Sequence, residues 1–224
     1  NPQTDPHITR NYTWRSLQRK EENKVALQEE LGLKQDPSIP MLGMVTRLAR
    51  QKGLDLVAHV LSEMLELNLQ IVVLGTGEAP FEQMFKHFAG MHSDKVSSNI
   101  RFENVLAHQI YAASDLFLMP SLFEPCGLGQ LIAMRYGSLP IVRETGGLKD
   151  TVIPYNKETD QGLGFSFANY NAHELLDTVR RAVNLYETDK EGAWKRMVGR
   201  AMRADFSWEQ SALKYKELYE QVLG

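Results

Sequence analysis

The sequence predicts an α/β domain of the Rossmann-like kind, with a doubly wound parallel sheet. Three observations point there. Short apolar runs fit for buried strands recur at Met41-Leu-Gly-Met-Val-Thr46 and at residues 69–74, 115–119 and 139–142. Segments of helical spacing separate them, clearest in Leu54, Val57, Ala58, Leu61 and Leu65. Strands alternating with helices at roughly 25–30 residues mark parallel βαβ units with right-handed connections.

Each element has its own reason. Residues 1–20 are polar, with Pro2 and Pro6 and the isolated aromatics Tyr12 and Trp14, and read as a linker or docking segment. Residues 23–31 have helical spacing and stop at Gly32. Asp36-Pro-Ser-Ile-Pro40 is a turn before the strand at 41–46, and 47–53 is a basic loop before the helix that starts at Leu54. The strand at 69–74 closes on Gly75-Thr-Gly77, and a helix follows over 78–91. Residues 100–102 form a strand, 107–114 a short helix, and 115–119 the strand that opens onto Ser121-Leu-Phe-Glu-Pro-Cys-Gly-Leu128. Helical spacing then runs from about residue 127 to 136, before the strand at 139–142. Arg143-Glu-Thr-Gly-Gly-Leu148 is a loop entering a helical turn, 155–164 is a surface loop, and 163–167 is a last strand. Asn171 caps a helix with Leu175, Leu176, Val179 and Val183 on one face, and further amphipathic helices cover 191–202 and 208–223. The chain thus divides into residues 1–20, one domain over 21–205, and a terminal helix over 206–224.

Bulk properties exclude several classes. A hydrophobic fraction of 43% and a charged fraction of 24% over 224 residues are ordinary for a globular domain. Net charge is -3, with Lys+Arg 25 against Asp+Glu 28, which argues against a nucleic-acid partner. No apolar run approaches the roughly 18 residues of a membrane span. The single cysteine, Cys126, excludes an intrachain disulfide and fits a reducing compartment. The six histidines show no metal-ligand spacing, so no metal is expected. The chain opens on Asn1-Pro-Gln-Thr-Asp-Pro6 without an initiator Met, as a piece cut at a domain boundary would.

The loops carry the chemistry. Gly75-Thr-Gly77 invites a dinucleotide reading, but Pro80 occupies the third glycine position of G-x-G-x-x-G, and no NAD is expected. Arg47 and Lys52, in a loop after a strand, offer a planar fork and a mobile point charge that suit a diphosphate; the alternative is a solvated basic loop. Thr145, Gly146, Gly147 and Leu148 enter a helix and can present amides to an anion, or form an ordinary Gly-Gly turn. Glu124 has no second acid in its motif, so it does not read as half of a hydrolase carboxylate pair; a lone acid there can bind sugar hydroxyls. Cys126 has no local base and reads as a small apolar residue rather than a nucleophile.

Three segments, Thr46-Arg-Leu-Ala-Arg-Gln-Lys-Gly-Leu-Asp55, Pro120-Ser-Leu-Phe-Glu-Pro-Cys-Gly-Leu128 and Pro140-Ile-Val-Arg-Glu-Thr-Gly-Gly-Leu-Lys-Asp-Thr-Val152, resemble bacterial glycogen synthases and plant starch synthases. Asp5-Pro-His-Ile8 and the tail around Phe206-Ser-Trp208 and Tyr215 fit the same family. The resemblance implies the C-terminal, donor-binding half of a GT-B fold. It implies transfer of glucose from ADP-glucose to an α-glucan with retention, without metal or redox cofactor, in the cytoplasm or, in a plant, the plastid. It places Arg47 and Lys52 on the donor diphosphate and Glu124 on the glucose hydroxyls. Backbone at Cys126, Gly127 and Leu128 would line the sugar pocket, and residues 145–148 would hold glucose or the distal phosphate. Phe102, with Tyr111 as second candidate, would stack on adenine. The second acid of the related E-x7-E pattern is replaced by Ile132, as is common in these synthases. The family's N-terminal lysine-glycine motif and its catalytic histidine have no counterpart here, so partners would include the other half of such a protein. Two other readings remain: a nucleotide- or glucan-binding module with no transferase activity of its own, and a transferase using another donor such as UDP-glucose.

Overall fold

A computed structural model describes residues 1–223. Its sheet has six parallel strands: β1 Met41–Val45, β2 Gln70–Leu74, β3 Val96–Asn99, β4 Leu116–Met119, β5 Leu139–Arg143 and β6 Phe165–Phe167. Their order is β3-β2-β1-β4-β5-β6. The chain therefore runs outward one way from β1 and then the other way from β4. The crevice between β1 and β4, at the strands' carboxyl ends, is the topological switch point where ligands of such sheets bind.

The helices are α1 Gln18–Glu30, α2 Leu54–Glu66, α3 Ala79–Met91, α4 Asn104–Ala113, α5 Gly129–Arg135, α6 Gly146–Thr151, α7 Ala172–Asp189, α8 Lys195–Arg203 and α9 Trp208–Leu223. They cover both faces of the sheet, which is why the central strands read as unbroken apolar runs. Alternate side chains feed opposite cores. Leu42, Met44, Ile71 and Val73 pack into one together with Leu54, Val57 and Leu61 of α2. Met41, Val72 and Leu74 pack into the other with Leu27 of α1 and Leu106 and Ile110 of α4. Each such Val or Leu contributes roughly 1.5–3 kcal/mol by its burial. At Gly43 an added Cβ would lie 2.3 Å from Ser114 Oγ and 2.8 Å from an Ile110 methyl, so glycine lets α4 settle onto β1.

Buried charge fastens the opposite, amino-end edge of the sheet. Asp115 Oδ2 accepts hydrogen bonds from the Met41 amide at 2.8 Å and from Lys24 Nζ at 2.5 Å. Lys20 Nζ donates to Ala112 O at 2.6 Å, satisfying a carbonyl at the end of α4. Burial pulls the Lys20 ammonium down to about 7.

Several elements differ from the sequence reading. Of the two readings of the opening segment, linker or docking segment, residues 1–17 fit the second. Ile8 and Tyr12 join the core, and Tyr12 Oη donates to Tyr136 O at 2.6 Å. Asp5 accepts from Tyr136 Oη at 2.6 Å and lies 2.7 Å from His108 Nδ1. The expected boundary at residue 20 falls inside α1, which starts at Gln18. The third strand is the Val-Ser-Ser-Asn of β3, not residues 100–102. As an edge strand it is only partly covered, so it lacks an apolar run. Finally α7 runs to Asp189, and a π-helical turn over residues 190–194 joins it to α8, with the break at Gly192 (φ -96, ψ -107).

Candidate active site at the switch point

The loop after β1 makes one 3-10 turn, Arg50–Lys52, and ends on Gly53 at φ 76. That left-handed geometry costs glycine little. A Cβ there would lie 2.0 Å from Pro120 O, so the β1 loop rests directly on the start of the β4 turn. The Leu122 amide donates to Gln51 O at 2.9 Å. Lys52 Nζ then reaches across the switch point to Glu124 Oε2 at 2.6 Å. Ser121 Oγ lies 3.3 Å from the same oxygen. Among the described residues the other oxygen, Oε1, has no hydrogen-bond partner, so it can accept from a ligand hydroxyl. Arg47 is exposed at the mouth, and its Nη2 donates to Gln51 Oε1 at 3.2 Å.

The β5 loop approaches from the other side, again through backbone. A Cβ on Gly146 (φ +43) would lie 2.2 Å from Glu124 O, and one on Gly147 2.0 Å from Cys126 O. This closeness alters the expected role of the 145–148 amides. Gly147 N donates to Pro125 O at 3.0 Å, Thr145 N to Arg143 O at 2.9 Å and Leu148 N to Thr145 O at 3.1 Å. Gly146 is exposed, and its amide has no partner among the described residues. One amide, rather than a row of them, is open to an anion, while the Leu148 side chain is buried in the core.

Two residues not singled out from sequence hold the turn. Arg143 Nε donates to Ser121 O at 2.8 Å, and its Nη2 to Leu122 O. Buried Gln130 donates through Nε2 to Gly127 O at 2.9 Å and Cys126 O at 3.1 Å. Arg143 lies inside a recognised motif and Gln130 two residues beyond another, but only the folded chain brings their side chains onto those carbonyls. Cys126 is exposed and Leu128 is 70% exposed at the same rim.

The two aromatic candidates separate. Phe102 is 94% exposed, on a groove of about 340 Å³ that it shares with Arg47, Gly75 and Thr76. Tyr111 is buried, with its ring stacked on Phe117 at 4.7 Å between centroids, and burial pushes its phenol up to about 12. It belongs to the core and is not free to stack on a ligand. Ile132 lines a larger neighbouring groove of about 810 Å³. No group of three or more metal-ligating side chains occurs among the described residues. No helix among them is long and apolar enough to cross a membrane.

A Rossmann-like sheet with a Lys–Glu pair across its switch point and glycine-mediated loop contacts places the chain among α/β proteins whose ligands bind outside the strands' carboxyl ends. The family model for glycosyl transferases group 1 matches residues 27–194, and the chain belongs to that family. Within it, similarity runs to glycogen and starch synthases. A glycogen synthase of Bacillus cereus (strain Q1) is 55% identical over 223 residues, which is 100% of this chain and 46% of that protein. One from Clostridioides difficile (strain 630) is 55% identical over 221 residues, 99% of this chain and 46% of that protein. The solved catalytic domain of starch synthase IV from Arabidopsis thaliana, bound to ADP and acarbose, superposes with a TM-score of 0.87 at 42% identity, covering 99% of this chain and 46% of that one. The chain spans about half the length of the curated relatives it matches.

Proposed function

We propose that this chain is the donor-binding half of a glucan synthase that transfers glucose from ADP-glucose to the non-reducing end of an α-1,4-glucan with retention. The observation that carries the reading is the Lys52–Glu124 pair at the switch point, with Arg47 at the mouth and Phe102 exposed beside it. Lys52 and Arg47 meet the diphosphate and offset the charge that grows on departing ADP. Glu124 Oε1 and the Gly146 amide receive sugar hydroxyls or a phosphate oxygen, and Phe102 stacks on adenine. Retention fits a site whose described side chains include no placed covalent nucleophile; Cys126 sits on the rim without a base.

Chain length favours a second statement. A site built from half of a two-domain cleft binds donor without completing transfer, so this chain alone binds ADP and does not elongate glycogen. The exposed Trp208, Tyr215, Leu218 and Tyr219 of α9 supply an apolar surface for the other half. Calorimetry with ADP, UDP, ADP-glucose and UDP-glucose tests the reading, alongside a glucose-transfer assay on glycogen. Saturable binding of the adenine nucleotides, preferred over the uridine ones, is expected. Absence of ADP binding, or preference for UDP-glucose, overturns the donor assignment. Glucose transfer by this chain alone overturns the half-site argument.

A further inference from the structure

A second cavity, of about 420 Å³, lies between the opening segment, the end of α5 and the end of α8. Arg135 ends α5, about 10 Å along the helix axis from Gly129, which begins it after the 121–128 turn. Trp14, Arg15, Arg135, Met202 and Arg203 line it, and no Asp or Glu does.

Three guanidinium groups thus share one concavity with no carboxylate among them. Arg15, Arg135 and Arg203 form no ion pair among the described residues, as is also true of Arg19, Arg47, Arg143 and Arg180; what sets the three apart is that they share one cavity. The three are also positioned. Arg15 and Arg203 each hold the guanidinium carbon over the Trp14 ring, 4.8 and 4.6 Å from its centroid. Stacked guanidiniums keep their N–H edges available for an anion in the ring's margin. Arg135 Nη1 donates to Met202 O at 2.9 Å, which fixes that side chain at the end of α8. Arg203 Nε donates to Gly199 O at 2.8 Å, leaving its two terminal nitrogens.

The bland alternative is that these arginines serve α8 alone, as helix-end cations. It accounts for Arg135 and the Nε of Arg203. It leaves out Arg15, which lies on a different segment, makes no side-chain hydrogen bond among the described residues, and still joins the same ring.

We infer that the Trp14–Arg15–Arg135–Arg203 cavity is a binding site for a small phosphomonoester, with the phosphate among the guanidinium groups and an attached sugar against Trp14. A phosphate dianion offers several acceptor oxygens to forked donors, where a single carboxylate would satisfy fewer. The volume falls within the range of small-molecule sites, about 300–1,000 Å³. Because the walls come from the opening segment and the end of α8, a bound anion ties two distant parts of the chain together. This inference stands apart from the donor reading, since Arg47, Lys52, Phe102, Glu124 and Gly146 do not line this cavity.

Calorimetric titration with inorganic phosphate and, separately, glucose 1-phosphate tests it. Both are expected to bind saturably, the sugar phosphate more tightly; phosphate binding the tighter would remove Trp14 from the site but keep the guanidinium cluster. Arg15→Gln and Arg203→Gln are each expected to weaken binding about tenfold or more. Arg15→Gln carries the test if Arg203→Gln disturbs α8, and far-UV circular dichroism reports that. Arg47→Ala with Lys52→Ala is expected to leave this binding unchanged. The inference fails if neither anion binds, if Arg15→Gln binds as the parent does, or if Arg47→Ala with Lys52→Ala abolishes binding.

Discussion

Lys52→Met is the sharpest probe of the switch point. In the unliganded chain Lys52 Nζ spends one of its three protons on Glu124 Oε2, at 2.6 Å. Two protons remain for a diphosphate. A hydrogen bond to a charged group contributes roughly 1.5–3 kcal/mol, so losing one weakens ADP binding by about tenfold to a hundredfold. The same substitution strips a Glu124 side chain that is only 11% exposed of its cation, leaving it Ser121 Oγ. Such an orphaned acceptor costs ~1–3 kcal/mol of folding stability. Glu124→Gln is expected to act oppositely. Its amide still offers Lys52 an oxygen, and the freed ammonium can turn fully to phosphate, so ADP affinity holds within about threefold. Titration calorimetry with ADP and urea denaturation read the two effects. Parental ADP affinity in Lys52→Met removes Lys52 from the diphosphate. Additive stability losses in the double variant, within ~0.5 kcal/mol, show that the pair is not coupled.

Phe102→Ala should leave the denaturation midpoint nearly unchanged, because the ring is 94% exposed, while ADP binding weakens by the roughly 1–3 kcal/mol of one base–aromatic stack; unaltered affinity would exclude stacking. Gly146→Ala forces a side chain onto φ +43, 2.2 Å from Glu124 O; a stability loss of at least ~1–2 kcal/mol is expected in urea, with weaker ADP-glucose binding. A third expectation concerns pH. Lys20 falls from 10.5 to about 7 on folding, so between those values the unfolded chain holds the extra proton. Stability therefore rises as pH goes from 7 toward 10 and is penalised below 7. The urea midpoint of the parent should gain on that of Lys20→Met between pH 7 and 9, and parallel profiles would contradict the assignment.

Much of the fold was legible because parallel strands covered on both faces write themselves as apolar runs; β1, β2, β4 and β5 all did so. β3 did not. Its Val-Ser-Ser-Asn sits at an edge, where half of each strand's surface needs no apolar cover. The choice between linker and docking for the opening segment was open for a related reason. Tyr12 carries no periodic signal, and what buries it is Tyr136, far along the chain. In the site, charge and glycine were readable by type: Arg47, Lys52, Glu124 and the Gly146–Gly147 pair all lie around one crevice. Which group faces a ligand was not readable. Tyr111 and Phe102 are equally aromatic in sequence, yet one is stacked in the core and the other open. The Gly147 and Leu148 amides looked free until the fold supplied their acceptors. Arg143 and Gln130 act on carbonyls, and a carbonyl has no signature in sequence.

The glycine contacts at positions 53, 146 and 147 have a further meaning. In each, one loop bears on its neighbour main chain to main chain, with no side chain between them. No substitution can widen or narrow those gaps by degrees, since the smallest added group already overlaps an oxygen. The cradle therefore behaves like a casting of fixed bore. A descendant of this chain that came to accept a different ligand would have to be re-lined, at outward residues such as Phe102, Cys126 and Leu128. The bore itself would stay as it is.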